Sequence, residues 1–286
     1  MQSLYDVPAP AKLNLFLHIT GQRDDGYHLL QSVFMLIDWC DTLHFDRRAA
    51  NNGISREDLG PTLPEMDLTV RAALALQQAT GCTQGVHIAV DKQIPAEAGM
   101  GGGSSDAAAT LLALNRLWNL RLSRPALEKI GLALGADVPF FLRGRNAWVE
   151  GIGETITPLE STQQLPPARF AVVKPAAGLE TRLIFSSPSL KRDSDTATIL
   201  GFAAAHFDFG RNDLQPVAQA LCPQVTEALD WLKLRGLQGR MTGSGSAVFA
   251  HMSHAVNLDG APAGWQVRAC DNLMIHPLAG WASDEN

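Results

Sequence analysis

Residues 12–19, KLNLFLHI, alternate along the chain. Leu13, Leu15, Leu17 and Ile19 fall on one face of an extended strand, and Lys12, Asn14, Phe16 and His18 on the other. A lysine and an asparagine therefore point the same way from one sheet. SVFMLID (32–38) and TLHFD (42–46) read as two further strands joined through Trp39, Cys40 and Asp41, and residues 51–64, with their Asn, Gly and Pro signals, as a loop. A helix is predicted over 67–80 and ended by Gly81, followed by a strand through Val86, Ile88 and Val90. Ala107, Ala108, Leu111, Leu112 and Leu114 recur at helical spacing, with Ser104 or Ser105 as cap and Asp106 in the first turn, where its charge suits the helix dipole.

Another helix is predicted from Ser123, with Pro125 in its first turn, to about Leu134, and strands near 147–149 and 155–158. STQQLPPA (161–168) reads as a linker, which divides the chain into lobes 1–160 and 161–286. The second lobe opens on a strand, RFAVVK (169–174), with helices near 181–186, 212–220 and 226–235. A glycine-rich stretch, GRMTGSGSAVFA (239–250), resembles a turn between two strands, and the tail WASDEN is expected to fray.

Bulk properties narrow the possible partners. At 286 residues the chain has room for a large core, and 46% hydrophobic with 18% charged residues indicates an ordinary globular protein. A net charge of −6 argues against a broad nucleic-acid or membrane-surface patch, so attraction to an anion has to be local. Cys40, Cys82, Cys222 and Cys270 are far apart in sequence and give neither a zinc motif nor a disulfide framework. No secretory leader and no bilayer-length apolar run is evident, so a cytoplasmic protein is expected.

IPAEAGMGGGSSDAAATLLALN (94–115) supplies the candidate chemistry. Gly99 and Gly101 to Gly103 run directly into a helix, and a glycine loop feeding a helix N-terminus presents unpaired N–H groups to an anion. Familiar phosphate motifs fail. A GxGxxG pattern would need glycine where the chain has Ser104 or Asp106, and a Walker A loop needs a lysine that is missing between Lys92 and Lys129. The triplet Asp208-Phe209-Gly210 lacks the other protein-kinase motifs.

IPAEAGMGGGSSDAA does resemble the phosphate-binding motif of the GHMP kinases, and MTGSGSAVFA resembles their C-terminal glycine motif. AKLNLFLHITGQRDDGYHLLQSVF, GADVPFFLRGRNAWVEGIGE and NDLQPVA narrow the likeness to the branch whose acceptor is a cytidine diphosphate of methylerythritol. Met100 stands where that branch usually has leucine, and Thr242 where it has serine; both swaps are mild. The resemblance implies a two-lobe α+β fold with the active site between lobes, ATP as co-substrate, Mg2+, a small-molecule acceptor, no nucleic-acid or membrane partner, and a monomer or homodimer.

It also implies roles. Lys12 and Asp137 become the catalytic pair; Pro95, Gly99, Met100, Gly101, Gly102, Gly103, Ser104, Ser105 and Asp106 the ATP cradle; Asn14, Tyr27, His28, Thr181 and Phe185 the acceptor site. Tyr27 and Phe185 offer aromatic faces to sandwich a base, with His28 reading its edge. Taken singly, Lys12 reads as a solvated strand lysine, Asp137 as an N-cap before Val138-Pro139, His28 as a turn residue and Phe185 as core. Ser104 and Ser105 remain open between capping, phosphate and Mg2+, and no side chain is assigned to the metal. Ser244 and Ser246 are expected to shape a turn under the phosphate loop. Another GHMP kinase, or a nucleotide-binding member that has lost its chemistry, are the alternatives.

Overall fold

A computed structural model describes residues 1–50, 52–160 and 163–285. The chain begins with two long strands, β1 (Ser3–Gln22) and β2 (His28–Ala50), which pair antiparallel through a tight connection at 23–27. β2 is one element where two were expected. Its middle does not turn because the polar groups there are satisfied sideways: the Trp39 indole donates to the carbonyl of Gln93 at 2.8 Å, and Asp41 accepts the backbone N–H groups of Gln93 and Ile94 at 2.6 and 2.7 Å.

The expected loop over 51–64 holds a short strand, β3 (Ile54–Asp58); Asn51 lies outside the described residues. It runs parallel to β4 (Gln84–Asp91), across the helix α1 (Leu68–Thr80). α1 starts where the pattern put it, with the Asp67 carboxylate accepting from Thr69 and Val70 N–H, and ends at Gly81 with φ 69°.

Next come α2 (Gly102–Leu117), α3 (Arg124–Leu132), α4 (Val138–Arg143), β5 (Ala147–Glu150) and β6 (Thr155–Pro158). β5 pairs with both β2 and β6. The remainder comprises β7 (Arg169–Lys174), α5 (Thr181–Phe185), α6 (Ile199–Ala205), α7 (Gln215–Leu221), α8 (Pro223–Lys233), β8 (Arg240–Met241), β9 (Val248–Met252) and β10 (Gln266–Leu273). The sheet order is β3-β4-β2-β10-β7-β9-β8. β2 also touches β10 at Ile37 and Leu36, so one continuous ladder passes through both halves of the chain, in an α+β architecture.

Register explains where β1 departs from simple alternation. Asn14 pairs with Phe34 but Leu17 with Ser32, so a bulge between them shifts the phase. Leu13 and Leu15 join Phe16 in a core beside β7 and β10, whereas Leu17 and Ile19 pack in another core under α7 and α8. The expectation of one shared face for all four aliphatics is corrected accordingly. A further core lies between β2, β4 and the helices α1, α2 and α4.

Other expectations also change. Gly101, at φ 72°, is the N-cap of α2, not a serine, and Asp106 lies beyond the first turn. Within the expected linker, Leu165 is buried and Ala168 N–H donates to Asn272 Oδ1 at 2.8 Å, while Gln164, Pro166 and Pro167 are exposed; Ser161 and Thr162 are outside the described residues. The tail is docked through Ser283 rather than frayed, with the Arg116 guanidinium 4.5 Å from the Trp281 ring and Arg124 N–H donating to Ser283 O at 2.7 Å; Asn286 lies outside the described residues.

Candidate functional site

The two glycine segments meet back to back. A Cβ at Gly99 would lie 2.3 Å from the carbonyl oxygen of Thr242, and one at Gly243 would lie 2.7 Å from that of Gly99. Ser246 and Ala247 donate N–H bonds to the carbonyls of Glu97 and Ala98 at 3.1 and 3.3 Å. Asn212 steadies the second segment by donating to Met241 O and Gly243 O, both at 2.8 Å. The later motif is therefore the floor on which the earlier loop rests, as the sequence suggested for its serines.

Above this floor opens a cavity of about 810 Å³, walled by the loop, by Lys12, Asn14 and Asp137, and by α5. Gly102, Gly103 and Ser104 occupy the first turn of α2, whose N–H groups have no acceptor within the helix. Pro95, Gly99, Met100, Gly101 and Asp106 are also on the wall, although the Met100 side chain is buried and its carbonyl accepts the Lys12 N–H at 2.9 Å. Ser105 departs from its expected place. Its hydroxyl donates to Pro10 O at 2.7 Å, its N–H to Gly101 O at 2.9 Å, and it is fully buried away from the cavity.

Lys12 and Asp137, 125 positions apart in the numbering, converge. Nζ of Lys12 lies 3.7 Å from Oδ2 of Asp137, donates to Gly99 O at 3.1 Å and to Asn14 Oδ1, and sits 4.7 Å from the Phe34 ring centre. The solvated-lysine alternative is excluded, because Lys12 is 4% exposed. Asp137 occupies the N-cap position of α4 but makes no capping bond, so its carboxylate faces Lys12 and the cavity. Burial lowers the Lys12 pKa, and the Asp137 carboxylate opposes that shift.

One group that the sequence reading passed over is Lys92, noted there only as the last lysine before the glycine loop. Its ammonium donates to Asp41 Oδ2 and, at 2.7 Å, to Asp106 Oδ2. Burial works against the Lys92 charge, but the two carboxylates outweigh it and raise its pKa. Burial pushes Asp106 up to about 8, with Lys92 opposing and Asp41 adding. Asp106 Oδ1 is buried with no hydrogen-bond partner among the described residues. Lys92 at the end of β4, two residues before the glycine segment, was the only sequence signal for it.

On the acceptor side, Asn14 is held between Lys12 and Ser32, and the Thr181 hydroxyl shares a 2.6 Å hydrogen bond with that of Ser244. Phe185 is half-buried, on the cavity wall and packed against the core under α7 and α8, and its ring lies 5.1 Å from that of His28. Tyr27 and His28 themselves are off the wall. Tyr27 stands at the exposed tip joining β1 and β2, and His28 sits behind Phe185.

Comparison with known proteins agrees with this arrangement. The family model for the GHMP kinases N terminal domain matches residues 67–145, and that for the GHMP kinases C terminal matches 197–258. The chain is 70% identical to the 4-diphosphocytidyl-2-C-methyl-D-erythritol kinase of Paracidovorax citrulli, over 100% of both chains. It is 72% identical to the protein of that name from Acidovorax sp. (strain JS42), over 98% and 99%. A crystal structure of 4-(cytidine 5'-diphospho)-2C-methyl-D-erythritol kinase superposes with a TM-score of 0.76 at 31% identity, covering 94% of this chain and 98% of that one. Homoserine kinase from Cytophaga hutchinsonii superposes with a TM-score of 0.68 at 14% identity, covering 96% of each, a likeness of fold. With its paired glycine motifs and its relatives matched from end to end, the chain belongs to the GHMP kinases, ATP-dependent small-molecule kinases, in the family of the 4-diphosphocytidyl-2-C-methyl-D-erythritol kinases.

Proposed function

We propose that this enzyme transfers the γ-phosphoryl group of ATP to the 2-hydroxyl of 4-diphosphocytidyl-2-C-methyl-D-erythritol, a step in non-mevalonate isoprenoid precursor synthesis in the cytoplasm. The observation that carries the mechanism is the 3.7 Å approach of Lys12 to Asp137 beside the open first turn of α2. Phosphoryl transfer asks a protein chiefly to position groups and stabilise charge. The N–H groups of Gly102, Gly103 and Ser104 bind the phosphates. Asp137 takes the proton from the acceptor hydroxyl as its oxygen forms the new bond to phosphorus; the bond to the bridging oxygen breaks, and ADP leaves. Lys12 pairs with the Asp137 carboxylate at 3.7 Å and orients the hydroxyl. Lobe 1–160 supplies this machinery and lobe 161–286 supplies Thr181, Phe185 and the glycine floor.

Mg2+ fits the site. The partnerless buried oxygen of Asp106 and the hydroxyl of Ser104 are on the wall beside the phosphate cradle, in keeping with an ion that takes one carboxylate and otherwise phosphate and water oxygens. When bound it would neutralise charge on the phosphate oxygens.

A coupled assay for ADP release with the cytidine substrate, mevalonate, homoserine and galactose tests the proposal. Turnover of any of the last three at comparable efficiency would overturn the acceptor. Asp137→Ala is expected to keep ATP affinity and lose about 10²–10⁴-fold in kcat, the usual worth of a positioned base. Unchanged turnover would remove Asp137 from that role.

A further inference from the structure

The proposed reaction brings two polyanions together, yet the cavity wall carries only three cationic side chains among the described residues, Lys12, Lys92 and Arg182. Two of them are already held. Lys12 is bonded to Asn14 Oδ1 and Gly99 O and paired with Asp137, and Lys92 is bonded to Asp41 and Asp106. Arg182 is different: it is exposed, and its guanidinium makes no hydrogen bond or ion pair with any described residue.

The spacing along α5 places that charge. Thr181 and Phe185 are four positions apart and Arg182 and Phe185 three, so the three side chains share the side of the helix that borders the cavity. The Thr181 hydroxyl meets that of Ser244 at 2.6 Å, a Cβ at the neighbouring Gly243 would lie 3.2 Å from Asn14 Oδ1, and Asn14 is bonded to Lys12. A line of groups therefore runs from the Phe185 ring through Arg182 and Thr181 to Asn14, Lys12 and Asp137. A nucleoside diphosphate joined to a polyol has the same order: base, ribose, diphosphate, reacting hydroxyl. With the hydroxyl at Asp137, the diphosphate falls beside Thr181 and Arg182.

We propose that the Arg182 guanidinium binds the diphosphate of the acceptor and thereby makes the site select a diphosphate-bearing molecule over an uncharged one. This deepens the acceptor assignment above and rests on it. A guanidinium suits the task, because its planar fork of N–H donors meets two phosphate oxygens at once and stays charged at any working pH. The ATP phosphates have separate support in the N–H groups at the start of α2. Glu97 and Glu180 are exposed on the same wall and repel a diphosphate, so the one unpaired cation among the described residues there decides whether it can stay.

Steady-state kinetics and competition test it. Arg182→Met, at an exposed position, is expected to unfold at the wild-type denaturant midpoint and to raise the KM for the cytidine substrate by about tenfold or more with the KM for ATP unchanged, because a charge-assisted contact to a bound anion is lost. Arg182→Lys is expected to fall between the two. Cytidine and cytidine 5'-diphosphate serve as probes that compete with the acceptor: the wild type is expected to favour the diphosphate by about tenfold or more, and Arg182→Met to lose most of that preference. A variant with the wild-type KM for the acceptor and the wild-type preference for the diphosphate would refute the role of Arg182. So would a rise confined to the KM for ATP, which would put the guanidinium on the other nucleotide. A wild type that does not turn over the cytidine substrate would instead refute the acceptor assignment, and this inference with it.

Discussion

Replacing Lys92 by methionine is the perturbation with the largest expected cost outside the catalytic pair. The ammonium is 2.7 Å from Asp106 and also bonded to Asp41, whose residue is fully buried. At an effective dielectric near 20, one such contact is worth about 6 kcal/mol of gross attraction. Most of that offsets the desolvation of the ammonium and the carboxyl groups around it, and removing one partner of a buried ion pair typically costs about 3–5 kcal/mol because the groups left behind lose their compensation. Against a total stability of about 5–15 kcal/mol, this is a loss of about a fifth or more. Asp41 retains its two backbone N–H donors, so Asp106 is the carboxylate left without support, and Lys92→Met/Asp106→Asn is expected to recover at least half of the loss. Denaturant unfolding at pH 7.5 of wild type, both single variants and the double variant measures the coupling. A loss below about 1 kcal/mol for Lys92→Met, or a double variant no better than the single, would refute the account of a charge-balanced root under the phosphate loop.

Two further outcomes follow from particular atoms. Gly99 and Gly26 both have positive φ, 70° and 89°, but a Cβ at Gly26 meets nothing within 4 Å whereas one at Gly99 strikes the Thr242 carbonyl; Gly26→Ala should cost about 1 kcal/mol of stability, and Gly99→Ala should in addition raise the KM for ATP by about tenfold or more by forcing the two loops apart. His276 is 2% exposed, accepts from Leu278 N–H at 3.0 Å, and has its pKa lowered by burial to about 4. The unfolded chain takes up a proton below about pH 6.5 that the folded His276 refuses until about 4, so this residue's contribution is complete above pH 6.5 and about 3 kcal/mol of it is lost on acidification to pH 4. His276→Gln should flatten the unfolding free energy over that interval, and an unchanged slope would show that His276 is not the group responsible.

What the sequence made legible were local features whose cause lies within a few residues. The α1 cap at Asp67, the glycine loop running into α2, and the turn between β8 and β9 are each written in consecutive residues. Errors arose where distant partners decide. Trp39 and Asp41 look like a strand break until Gln93 and Ile94 are seen to receive them, and the bulge after Asn14 depends on how β1 meets β2. Ser105 looked like a cap because its type favours capping, but Pro10 claims its hydroxyl. In the site, Lys12 and Asp137 were found only because each stands inside a motif. Lys92 has no motif of its own, and its importance comes from two carboxylates, one of them 51 residues earlier.

Because β2 carries hydrogen bonds to β1, β4, β5 and β10 at once, neither half of this kinase is an exchangeable part. The stretch matched by the second family model, 197–258, includes neither β7 nor β10, and severed from them it would have only the short hairpin of β8 and β9 to lean on. Acceptor preference can thus diverge among relatives by altering α5 and the loops beside it, whereas swapping whole halves between them would first have to re-match a shared spine.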